Sequence, residues 1–196
     1  MSAPIPLSVL PAVGVPRLAD YRVLVAPGLQ GSGPEHWQSR WERLYPAFER
    51  VEQADWTTPD LPRWSARLGE VLAQDNKPAV IVAHSFGCLT TVHRAAALAR
   101  EDGSSRIVAA LLVAPADPEK FNVREDVQFR LPFPALVVGS SNDPWMSAER
   151  ARHWARVWGA QFLNAGALGH INAESGLDDW LEGQALLQQL VAGIRR

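Results

Sequence analysis

Cysteine is nearly absent: Cys88 stands alone among 196 residues, which excludes an internal disulfide and a thiolate metal cluster and makes a reducing compartment, the cytoplasm, the expected setting. Charge of one sign is equally scarce. The 19 basic residues face 21 acidic ones, for a formal net charge of -2, so no cationic surface exists to neutralise a phosphate backbone and nucleic acid is not an expected partner. No run approaches the ~18 uninterrupted apolar residues of a membrane span. The histidines lack metal-ligand spacing, and no loop closes in Gly-Lys-Ser or Gly-Lys-Thr, so neither a metal nor a nucleotide cofactor is expected. Internal repeats, low-complexity tracts and interdomain linkers are missing too. Residues 1–20 are apolar but have no basic segment and carry Pro4, Pro6, Pro11 and Pro16, which oppose a helical signal sequence; they read as a loose arm before one domain over 21–196.

What is present is alternation. Short apolar runs at Tyr21–Ala26, Glu49–Ala54, Ala79–Ala83, Ile107–Val113, Ala135–Gly139 and Gln161–Asn164 are separated by segments with helical spacing. The predicted helices are Glu35–Leu44, Leu61–Ala73, Phe86–Ala99, Ala148–Trp158 and Leu177–Ile194. Strands alternating with helices imply an α/β class with a doubly wound, mostly parallel sheet of about six strands and helices on both faces. Ala79-Val80-Ile81-Val82-Ala83 has no polar residue, as a strand buried on both faces requires. In the last helix Leu187, Leu190, Val191 and Ile194 recur at three and four residues and form one core-facing stripe.

The buried-strand run ends in His84-Ser85-Phe86-Gly87 and passes directly into a helix. A serine on a sharp strand-to-helix turn, with small residues beside it, is the arrangement of a nucleophile elbow. The usual G-x-S-x-G appears here as Ala83-His84-Ser85-Phe86-Gly87, one methyl group away. A serine N-cap is the competing account of the same residue. The Phe86 amide at the helix start can donate to an oxyanion, and the Leu29 amide in the glycine-rich loop Pro27–Gly33 is the candidate second donor. That loop also reads as an ordinary strand-to-helix connection. Cys88, one turn further on, reads as a buried small hydrophobe.

An acid should follow a later strand and a histidine the last one. Asp143, in Ser140-Ser141-Asn142-Asp143-Pro144, follows the run Ala135–Gly139, and His170 ends the loop after the final strand. Asp117 is the rival acid, one strand earlier, and either aspartate also suits a turn before proline. His84 should face away from Ser85 across the pleat. His36, His93 and His153 read as surface or capping residues. In this set His170 takes the Ser85 proton as the hydroxyl attacks an ester or amide carbonyl, Asp143 fixes the tautomer, and an acyl-enzyme forms and is hydrolysed. Trp37, Trp56 and Trp145 fall near strand ends, either as an apolar wall for substrate or as packing.

Several ordered motifs together, Pro27-Gly28 to Trp37 with Trp41, Gln53-Ala54-Asp55-Trp56 with Pro59, His84-Ser85-Phe86-Gly87, Asn142-Asp143-Pro144, and Gly169-His170-Ile171-Asn172 to Gly176 and Trp180, resemble the small serine hydrolases grouped with retinoblastoma-binding protein 9 and the bacterial YdeN-type proteins. The resemblance, from Tyr21 to the C-terminus, implies a three-layer α/β-hydrolase fold, an esterase-like activity, and triad roles for Ser85, Asp143 and His170. It also keeps open a protein-interaction module with a protein partner, or acyl transfer to an acceptor other than water. Only about twenty residues separate Ala114 from Ala135, too few for a lid domain, so the expected substrate is a small-molecule ester or an exposed acyl group on a larger molecule.

Overall fold

The computed structural model describes residues 16–101 and 106–194; of the expected arm, residues 1–15 lie outside the described residues. Leu18–Asp20 form a single 3-10 turn, and Leu18 packs on the core. Six parallel strands make one sheet: β1 (Arg22–Ala26), β2 (Phe48–Arg50), β3 (Ala79–His84), β4 (Ile107–Val113), β5 (Ala135–Gly139) and β6 (Gln161–Asn164), in the order β2-β1-β3-β4-β5-β6. All of β3 is buried, as its apolar run predicts, and it pairs with β1 and β4.

The pleat of β3 divides the core. Ala79, Ile81 and Ala83 face α2 (Leu61–Ala73), α3 (Phe86–Glu101) and α4 (Ala148–Trp158), while Val80 and Val82 face α1 (Trp37–Leu44) and α5 (Leu181–Ala192). The result is the expected three-layer α/β arrangement. Helix starts follow their caps: Asp60 accepts the Arg63 amide at 3.0 Å and Ser147 the Arg150 amide at 3.3 Å. Among the described residues no helix is long and apolar enough to cross a membrane.

Most element ends fall within two residues of expectation, and the larger departures are at β2 and α5. β2 covers Phe48–Arg50 rather than Glu49–Ala54, because it is an edge strand paired on one side only and the chain leaves the ladder after Val51 donates to Val25 O. α5 begins at Leu181 rather than Leu177, because Asp178 (φ 49) and Trp180 (φ 39) adopt left-handed backbone that no α-helix contains. Between β4 and β5 the described chain holds one 3-10 turn, Glu125–Val127, and packs Val127, Leu131 and Phe133 onto the core; no lid is built there.

The order of strands reverses between β1 and β3, since the chain leaves β1 toward β2 and then returns to build the rest on the other side. In open α/β sheets the crevice at such a reversal, outside the carboxyl ends of the strands, is where ligands bind. The turn after β3 and the loop after β1 both open there.

Candidate active site

Ser85 is the single residue between β3 and α3, and its φ is 52. A serine N-cap has extended backbone, and Ser85 is left-handed instead. The turn is tolerated because of its neighbours. The Ser85 amide donates to Val113 O at 3.0 Å, and its carbonyl accepts the Cys88 amide at 3.0 Å. A Cβ on Gly87 would stand 2.1 Å from Ala26 O, so only glycine lets α3 start against the end of β1.

His170 and Asp143 converge on this turn from the loops after β6 and β5. His170 Nε2 lies 3.0 Å from Ser85 Oγ, and Nδ1 lies 2.8 Å from Asp143 Oδ2. A carboxylate only accepts, so Nδ1 carries the proton and Nε2 is left as acceptor for the serine hydroxyl. Asp143 is 1% exposed at its side chain and His170 11%. The second carboxylate oxygen of Asp143 accepts the backbone amides of Trp145 at 2.8 Å and Met146 at 3.4 Å, which fixes the plane of the group. Asn142 joins the two loops by accepting the Gly169 amide at 2.7 Å; it belongs to the Asn142-Asp143-Pro144 motif, but the sequence assigned it no role of its own.

Asp117 is elsewhere engaged. Its two oxygens take Arg150 Nε and Nη2 at 2.7 Å each, and burial, which by itself raises a carboxyl, is outweighed by these bonds so that its pKa stays below the ordinary value. The structure therefore brings Asp143, and not Asp117, to His170. Burial also pushes the Cys88 thiol well above its usual range, and the thiol points to Val113 O at 3.5 Å.

The loop after β1 presses on Ser85: a Cβ on Gly28 would lie 2.7 Å from Ser85 Cβ and 3.2 Å from its Oγ. Among the described residues neither the Leu29 nor the Phe86 amide donates a hydrogen bond. Of the three tryptophans, Trp145 is 59% exposed, two residues from Asp143. Trp56 is half-buried against Trp64 and its carbonyl holds the Gln30 amide at 2.8 Å, so it braces the Leu29 loop. Trp37 departs from the reading of a substrate wall: it is 1% exposed, packed edge-on to Trp41 and Trp180, because the first turn of α1 faces the sheet.

His84 projects to the α1 side of the sheet, away from Ser85, as the pleat requires. Its ring meets His36 edge-on at 4.6 Å, and burial, with smaller repulsion from His36 and His170, lowers its pKa well below the usual value. His36 caps α1 by accepting the Gln38 amide at 3.1 Å. It is buried rather than on the surface, and burial first, then Arg50 and His170, brings its pKa down to about 3.

The arrangement can deprotonate a hydroxyl and stabilise the cation that results. Comparison with known proteins agrees in class. A family model described as serine hydrolase matches residues 23–189. The chain is 35% identical to a YdeN-like hydrolase from Pectobacterium atrosepticum, with a TM-score of 0.85 over 91% of this chain and 94% of that one. The ydeN gene product of B. subtilis is 18% identical, with a TM-score of 0.70 over 87% and 98% of the two chains. An esterase from Rhodococcus sp. shares the fold at 13% identity, with a TM-score of 0.66 over 90% and 92%. No curated protein sequence matches.

Proposed function

We propose that this chain, which belongs to the serine hydrolase family, cleaves a carboxylic ester through an acyl-enzyme on Ser85. The observation that carries the reading is the unbroken path from Ser85 Oγ to His170 Nε2 at 3.0 Å and from His170 Nδ1 to Asp143 Oδ2 at 2.8 Å. His170 takes the hydroxyl proton as Oγ attacks the carbonyl carbon, and Asp143 stabilises the imidazolium. The oxyanion rests on the amides of Phe86, at the positive end of α3, and Leu29. The imidazolium then gives its proton to the leaving alcohol as the C–O bond breaks. Water enters, His170 removes its proton, and the acid leaves with Ser85 restored.

Trp145 forms the exposed side of the acyl or alcohol site, with Trp56 behind the Leu29 loop. Without a lid the ester is a short-chain small molecule or an acyl group displayed on a larger one. The test is a fluorophosphonate probe together with p-nitrophenyl acetate. The expected result is labelling and turnover by the intact chain and neither by Ser85→Ala. An intact, folded chain that does not label sinks the proposal.

A further inference from the structure

His170 sits in an unusual stretch of backbone. Gly169 before it (φ +58) and Ile171 after it (φ 47) are both left-handed. For glycine that is ordinary, but for a β-branched residue it is a true outlier, kept only where the surroundings over-determine it. Ile171 is fully buried in the core on the α1 and α5 side, so its side chain anchors the turn.

Two further anchors are polar. The His170 carbonyl is 2.9 Å from His84 Nε2, and the Ile171 carbonyl accepts Trp37 Nε1 at 2.8 Å. A carbonyl only accepts, so His84 Nε2 carries the proton. Both donors are themselves held. Trp37 is the first residue of α1, ringed by Trp41 and Trp180, and His84 is the last residue of β3, flanked by the His36 ring.

We propose that His84 and Trp37 are positioning residues for His170, each holding one of two successive carbonyls of the strained turn that carries it; this rests on the reading of His170 as the base. The geometry closes a ring. Ser85 follows His84 in the chain, the His84 side chain holds the His170 main chain, and the His170 side chain returns to Ser85. The distance between nucleophile and base is thereby set from one strand end, and Trp37 removes the remaining freedom by fixing the next peptide. A turn released from either donor can relax Ile171 toward ordinary backbone and swing the imidazole off Oγ. Displacement of a reacting group by about 1 Å can cost roughly 100-fold in rate.

Three variants test this: His84→Phe and Trp37→Phe, which keep a ring and lose the N–H, and His84→Gln, which keeps a donor at similar reach. For His84→Phe we expect kcat on p-nitrophenyl acetate to fall about 100-fold, with KM changed less than about twofold. Trp37→Phe should lose about tenfold and His84→Gln should recover most of the loss. The low-field proton resonance of His170 Nδ1–H, absent in His170→Ala, should weaken in both phenylalanine variants while circular dichroism is unchanged. Folded phenylalanine variants with unaltered kcat and an unaltered resonance overturn the proposal, as does His84→Gln as impaired as His84→Phe. If His84→Phe does not fold, Trp37→Phe decides alone. Failure of the intact chain to label at Ser85 is the failure of the triad reading; the resonance still reports whether the two donors orient His170.

Discussion

Replacing Asp143 by asparagine should disable the site without dismantling it, and the hydrogen bonds give the reason. Asp143 Oδ1 accepts two backbone amides, from Trp145 at 2.8 Å and Met146 at 3.4 Å, and an asparagine must keep its carbonyl oxygen there. Its NH2 group then faces His170 Nδ1, in the place of Oδ2 at 2.8 Å. A donor facing a donor is repulsive, so the imidazole moves its proton to Nε2 and presents a hydrogen to Ser85 Oγ where it needs a lone pair. A wrong tautomer of this kind lowers kcat by about 10⁴ in the serine protease template, equivalent to about 5.4 kcal/mol of barrier. Folding should change far less, since every hydrogen bond of the acid loop is retained. Asp117→Asn is the matched control. It breaks a pair in which Arg150 is 38% exposed, so it should cost about 1–3 kcal/mol of stability and leave kcat within about threefold. The assay is steady-state hydrolysis of p-nitrophenyl acetate with Ser85→Ala as the floor, alongside urea unfolding of each variant. Equal losses of kcat in the two variants, or an Asp143→Asn enzyme within about tenfold of the parent, would refute the argument.

Gly28→Ala should reduce the rate of fluorophosphonate labelling by about 100-fold, because the new methyl would stand 2.7 Å from Ser85 Cβ, whereas Gly33→Ala, with nothing within 4 Å, should label at the parent rate. His36, with its folded pKa at about 3 and an unfolded value of 6.5, binds its proton more weakly when folded, so stability is complete above pH 6.5 and falls as pH drops toward 3. Between pH 7 and pH 5 the loss from this residue is about 2 kcal/mol in urea unfolding, and His36→Asn, which keeps a capping side chain, should flatten that interval; an undiminished slope would count against it. Trp145→Ala should leave stability within about 0.5 kcal/mol and raise KM for aryl esters more than it lowers kcat, and an unchanged KM would remove Trp145 from the substrate site.

Much of the fold can be read residue by residue. The β3 run has no polar position because both its faces are covered, and helix ends follow local chemistry, as at Asp60, at Ser147 and at Gly159, where φ is 68. The order of Ser85, Asp143 and His170 is legible because each follows a strand, and parallel strands deliver their carboxyl ends to one edge. Asp143 and Asp117 are alike in sequence, each before a proline; only the partner differs, and Arg150 lies 33 residues from Asp117. The start of α5 escapes for a related reason: nothing in Asp178 or Trp180 announces left-handed backbone, which tertiary contacts impose.

The supports of His170 are the least legible part. His84 lies 86 residues from the carbonyl beside it and Trp37 lies 134 from its own, separations that no periodicity spans. Sequence pattern does say that His84 faces away from Ser85 across the pleat, and it leaves Trp37 as either a substrate wall or packing. It does not say that burial leaves each an N–H that must find an acceptor. Once the sheet reverses between β1 and β3, the nearest acceptors to those donors are the carbonyls of the turn around Ile171. That demand and the strain of that turn answer each other: the buried donors obtain acceptors, and backbone that Ile171 would otherwise avoid is held where His170 reaches Ser85.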